Sequence, residues 1–174
     1  MITKKGIKKI LISGEDAAER RGVMRYLINM PYPIVASHIS IEGTDEIQNL
    51  RTCMLKEDSI SFSNYLNLGG APHNIVLIDN GLLSQRGYLP AERWRRVMER
   101  VGLAGDDFFS RYDHIIHLSM QRTDSESFRV YDCRNSETAS MLISCENITS
   151  IPDTGSFAER MNSVIYTFNH LIYS

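Results

Sequence analysis

The chain has 174 residues, 43% of them hydrophobic and 23% charged, the balance of a folded domain rather than of a disordered one. Its 19 basic and 21 acidic residues leave a net charge of −2, which excludes a general electrostatic pull toward nucleic acid or an anionic membrane. Cys53, Cys133 and Cys145 are widely spaced, with no CxxC pair and no histidine at zinc spacing, so neither a disulfide framework nor a metal site is expected.

In chain order, Lys9–Ser13 is the first apolar run and ends in Gly14. Pro33–Ile39 follows a Pro-Tyr-Pro break, Asn74–Asp79 ends in Asn80-Gly81, and His114–Leu118 ends in Ser119. Their Ile, Val and Leu are continuous rather than alternating, the pattern of strands covered on both faces. A weaker fifth candidate, Asn147–Ile151, stops at Pro152. Between the strands lie helical patterns over Asp16–Asn29, Asp58–Leu68, Pro90–Val101 and Ser156–Tyr173. Strands alternating with helices predict an α/β domain with a mostly parallel five-stranded sheet, one domain over residues 1–174. The expected core includes Ile10, Ile12, Val35, Val76, Ile78, Ile115 and Leu118, with His38 and His117 as buried, hydrogen-bonded rings. No apolar run approaches the ~20 residues that cross a bilayer. No membrane insertion is expected, and the free thiols point to an intracellular, cytoplasmic or organellar setting.

Ligands of such a sheet bind beyond the carboxyl ends of its strands. A strand, Gly14 and a helix stand where a phosphate-binding loop, G-x-x-x-x-G-K-[ST], would stand. Here Glu19 takes the place of the second glycine, Arg20 of the lysine and Arg21 of the magnesium-binding hydroxyl. Glu15, Asp16 and Glu19 would repel phosphate and satisfy the helix dipole themselves. Arg20 keeps a charge for phosphate without copying a compact ammonium, and Arg21 cannot ligate Mg²⁺. Gly14, Arg20 and Arg21 are therefore the candidate cofactor-binding residues, in a loop that has lost its ligands. Asp79, at the tip of a central strand, is the candidate metal-facing carboxylate, or else the start of an Asp-Asn-Gly turn.

The order of these motifs resembles the P-loop ATPase/kinase family that includes nicotinamide-riboside-kinase-like domains. There a strand ends in Asp-Arg-Gly, followed by a loop with tyrosine, a helix, Arg-Tyr-Asp, an apolar strand and a lid. Here stand Asp79-Asn80-Gly81, Tyr88, the Trp94 helix, Arg111-Tyr112-Asp113 and His114–Leu118, then Arg122, Arg129, Arg134 and Ser136-Glu137-Thr138-Ala139. The resemblance implies a three-layer α/β/α P-loop kinase-like fold with a nucleotide site. It also makes Asp79, Arg122, Arg129 and Arg134 candidate catalytic residues, the arginines as a lid. The departures, a lost phosphate loop and Asn80 in place of arginine, fall on the catalytic positions.

Arg93, Arg95, Arg96 and Arg100 make one helix basic, a candidate docking surface for an acidic protein partner or RNA. The reading that results is a non-catalytic kinase-like domain serving as a structural or interaction subunit, with no cofactor expected. Two alternatives stand beside it. One is an ATP- and magnesium-dependent nucleoside or nucleotide kinase using Arg20, Asp79 and the lid arginines; the other is a nucleotide-binding regulatory module.

Overall fold

The computed structural model describes residues 7–14, 16–40, 43–67, 74–79, 81–82, 91–103, 110–119 and 147–174. Within them run β1 (Ile7–Gly14), α1 (Ala17–Leu27), β2 (Ile34–His38), α2 (Glu46–Asn67), β3 (Asn74–Asp79), α3 (Ala91–Val101), β4 (His114–Leu118), β5 (Ile148–Ile151) and α4 (Phe157–Tyr173). The strands lie in the order β2-β3-β1-β4-β5, and every neighbouring pair is parallel. All five expected strands are present, the weak fifth among them.

The unbroken apolar runs are explained by two cores, one on each face of the sheet. Successive side chains of a strand point to opposite faces. Leu11, Val76, Ile78 and Ile115 thus meet Leu50 and Cys53 of α2 and Trp94, Val97 and Met98 of α3. Ile10, Ile12, Ile75, Leu77, Ile116 and Leu118 face the other way, onto Val23, Met24 and Leu27 of α1 and Met161, Val164, Phe168 and Ile172 of α4. The result is the three-layer α/β/α arrangement. Val35 departs from the expected core. It is half-buried because, among the described residues, β2 is an edge strand of the sheet, with β3 on one side only.

The second helix departs further from expectation, beginning at Glu46 rather than at Asp58. Asp45 opens it, its side chain accepting from Gln48 N at 2.8 Å, the usual service of an N-cap aspartate. Its inward stripe runs Leu50, Cys53, Glu57 and Asn64, so a charge interrupts the apolar period where periodicity would announce a helix. Leu55 and Phe62 point outward instead, 69% and 62% exposed. The last helix follows its pattern closely, with Ser156 Oγ capping Glu159 N. Phe157 is the exception, half-exposed and lying against Gly22, where a Cβ would meet its ring at 3.1 Å.

His114, at the start of β4, is buried and its Nε2 lies 2.8 Å from Thr149 Oγ1. Burial pushes its pKa below the ordinary 6.5. The unfolded chain therefore binds that proton more readily than the folded one, and stability must rise with pH through the window just below 6.5. Urea midpoints are expected to fall as pH drops from 7 toward 5, and His114→Gln should flatten part of that slope. An unchanged slope in the variant would place the titration elsewhere.

Candidate functional site

The register brings the carboxyl ends of the strands to one crest. Ile12 of β1 and His38 of β2 are both level with Asp79 of β3, and Gly14 is level with Leu118 of β4. β1 feeds a helix that crosses to β2 on one side, while β4 and β5 extend the sheet on the other. That divergence opens the crevice in which open α/β sheets hold ligands.

Gly14 is needed there for its lack of a side chain. Its φ is +145°, and a Cβ would stand 2.7 Å from the Leu118 carbonyl oxygen and 3.0 Å from Leu118 Cβ. Only glycine accepts both that backbone and that approach. Asp16 then caps α1, its Oδ1 accepting from Ala18 N at 2.8 Å and Glu19 N at 3.0 Å. Two of the amides that a phosphate would need at this helix terminus are already occupied.

Arg20 leaves the helix surface and turns into the protein. It is 7% exposed, its Nε donates to Asp79 Oδ1 at 2.7 Å, and its Nη1 donates to the Gly14 carbonyl. Asp79 is itself 2% exposed, and its second oxygen accepts from His38 Nδ1 at 2.7 Å. A carboxylate only accepts, so the shared proton sits on Nδ1 of His38. Contrary to expectation His38 is not buried: its side chain is 55% exposed while Asp79 behind it is sealed. Arg21 stands apart, exposed, its Nε donating to the Ala17 carbonyl of its own helix. Of the proposed cofactor-binding residues, Gly14 and Arg20 thus meet Asp79's network and Arg21 does not.

A second arginine closes the other flank. Arg160 of α4 is 3% exposed, and its Nη1 stands 2.9 Å from both oxygens of Glu19. Its Nη2 donates to the carbonyls of Ser119 and Ile151, at the ends of β4 and β5. Burial raises the Glu19 carboxyl above its ordinary range despite this partner. Beneath the crest Ser13 Oγ and His117 Nδ1 lie 3.0 Å apart, the buried pairing expected for His117.

Arg122, Arg129 and Arg134 lie outside the described residues, as does Asn80. On α3 the arginines are exposed, and two of them have partners within the fold: Arg93 Nε with Glu46 at 2.7 Å, Arg96 Nη2 with Glu92 at 2.6 Å. Among the described residues, Arg95 and Arg100 form no ion pair, and no group of three or more His, Cys, Asp or Glu is placed to hold a metal. No helix of the described residues is long and apolar enough to cross a membrane.

One cluster has no counterpart in the sequence reading. Glu57 of α2, wholly buried, accepts from Tyr112 OH at 2.5 Å, Lys9 Nζ at 3.0 Å and Leu82 N at 3.0 Å. Arg111 Nη2 stands 3.8 Å away, and Cys53 Sγ donates weakly from 3.9 Å. Burial first, and the Glu57 charge second, push the Cys53 thiol up to about 12 and raise the Tyr112 phenol well above its ordinary range. The signal that could have found it is Lys9 inside an apolar strand, a buried cation that calls for a buried anion.

No protein-family model matches the chain, and no curated protein does. Among solved structures it is similar to thymidylate kinase from Ehrlichia chaffeensis, with a TM-score of 0.52 and 14% identity over 94% of this chain and 99% of that one. Two de novo designed proteins of the P-loop NTPase fold follow at 13% identity, with TM-scores of 0.40 and 0.38, covering 95% and 94% of this chain and 91% and 90% of theirs. Identity this low speaks for the fold alone. That fold is the P-loop NTPase fold of the kinase-like kind, as the order of motifs led one to expect.

Proposed function

We propose that this chain is a kinase-like P-loop domain that no longer transfers phosphate and serves as a structural or interaction subunit of a larger assembly. The observation that carries the reading is the internal ion pair of Arg20 with Asp79 at 2.7 Å. Phosphoryl transfer relies on positioning and on a metal that neutralises developing charge. Here both oxygens of Asp79 already have protein partners, Arg20 and His38. Arg21 stands where a hydroxyl would ligate the metal, and the cap of Asp16 faces the site with a negative charge. This donor set does not fit a magnesium-bound triphosphate. Descent from nicotinamide-riboside-kinase-like domains belongs to the same proposal and rests on the order Asp79, Gly81, Arg111-Tyr112-Asp113.

Calorimetric titration of the chain with ATP or GTP in the presence of Mg²⁺ is expected to show nothing tighter than about 1 mM, equivalent to only ~4 kcal/mol. Micromolar, magnesium-dependent binding would overturn the proposal in favour of a working kinase. Micromolar binding indifferent to Mg²⁺ would favour a regulatory nucleotide module instead.

A further inference from the structure

Resting on that reading of the chain as an interaction subunit, we infer that the outer edge of β2, with the groove between it and α2, is where a partner docks by adding an extended strand that carries an acidic side chain. Among the described residues, β2 pairs with β3 alone. Ile75 N bonds the Pro33 carbonyl and Ile39 N bonds the Asp79 carbonyl, so the odd-numbered residues of this stretch address β3. In a parallel ladder the alternate residues address the other side. Ala36 and His38 therefore turn their backbone groups away from the sheet, and both residues are exposed. Exposed edge groups of this kind are a template for a further strand.

The groove beside this edge has a volume of about 460 Å³. Ile39, Leu55 and Ile60 supply its apolar surface, Ser37 and Ser59 contribute hydroxyls, and Lys56 is its cation. Among the described residues, no carboxylate lines it. The Lys56 ammonium is held at the strand's end by its bond to the Ser40 carbonyl, which leaves it further donors. Leu55 is 69% exposed, and Phe62 continues the same face of α2 two turns on at 62%. An extended strand with apolar and acidic side chains toward α2 matches this surface in hydrogen bonding, shape and charge.

A second copy of the chain matches it less well. Lysine beside an edge, here Lys56, is a device that discourages pairing of one β2 edge with another. The basic helix α3 is also the weaker candidate, since Glu46 and Glu92 already meet two of its four arginines.

The test selects twelve-residue peptides from a random displayed library on the full chain, then synthesises those enriched. Selected peptides are expected to alternate apolar and acidic residues and to protect the Ala36 and His38 amides from hydrogen exchange. Ala36→Pro removes an outward N–H and leaves the β3 ladder intact, a substitution edges tolerate. It should weaken peptide binding at least tenfold with the thermal midpoint nearly unchanged, and Lys56→Glu should do the same. Peptides that bind Ala36→Pro as tightly as the native chain overturn the inference, as does a selection that enriches nothing. Concentration-dependent dimerisation abolished by Ala36→Pro overturns it in favour of a second copy, and displacement of the peptide by inorganic phosphate overturns it in favour of a small anion. Nucleotide titration on the same samples keeps the two proposals apart. Micromolar Mg-ATP binding with peptide binding intact sinks only the non-catalytic reading.

Discussion

Glu57→Ala is expected to cost roughly 3–5 kcal/mol of unfolding free energy, the range for removing one partner of a buried ion pair. The carboxylate is wholly buried, so water does not replace it. Its loss leaves Lys9, which is 8% exposed and lies 5.1 Å from the centre of the Tyr112 ring, with only the more distant Asp58 at 4.0 Å, and takes the acceptor from the Tyr112 hydroxyl, while the Leu82 amide keeps Tyr112 OH at 3.1 Å. Cation and ring remain attracted after the substitution, but that contact is worth only about 1–2 kcal/mol. The cluster joins α2, the start of β1, the segment before β4 and the turn after β3, so the loss falls on the whole sheet. Tyr112→Phe removes the hydrogen bond to the same charge, and with it one of the Leu82 amide's two acceptors, and should cost about 1.5–3 kcal/mol. Urea unfolding of both variants measures this. A loss under about 1 kcal/mol for Glu57→Ala would mean that the carboxylate is solvated in solution and the cluster is not a stabilising node.

The sheet was legible in the sequence because a doubly covered parallel strand writes itself as an unbroken apolar run, and four of the five runs were of that kind. Val35 misled because an edge strand keeps the same composition while one flank stays open. α2 was read half as long as it is because its inward stripe carries Glu57 and Asn64, while apolar Leu55 and Phe62 face out. At the crest, Gly14 and Asp79 could be named from strand tips alone. The partner choice of Arg20 could not, since its position suits a phosphate and a carboxylate equally, and only the tertiary distance decides between them. The composition around His38 suggests a core ring, yet its place at the end of a strand, level with Asp79 in register, is the clue to its exposed, hydrogen-bonded position. Arg160 shares the buried stripe of α4 with Met161, Val164 and Phe168, but nothing in that spacing names Glu19, far off in the sequence, as its partner.

Substitution of Asp79 separates the two readings of the crest by its sign. A carboxylate kept for a metal is crowded by like charge or left underused when no metal is bound, and its removal then leaves stability level or improves it. A carboxylate that serves as the counter-charge of a buried arginine behaves in the opposite way. Asp79→Ala would leave Arg20 inside the protein with the Gly14 carbonyl as its remaining acceptor, and is expected to cost roughly 3–5 kcal/mol. Asp79→Asn keeps one acceptor and loses the charge, so its cost should be smaller. Arg20→Ala should cost less than Asp79→Ala, because Asp79 retains the His38 Nδ1 proton. The double variant then isolates the pair, with an expected coupling of about 2 kcal/mol, within the range for residues in one network. Urea unfolding of the native chain and the four variants at pH 7 and again with millimolar Mg²⁺ supplies the numbers. Coupling below about 0.5 kcal/mol, or a native chain that gains stability from Mg²⁺ through Asp79, would return the crest to a metal-binding role and with it the case for phosphoryl transfer.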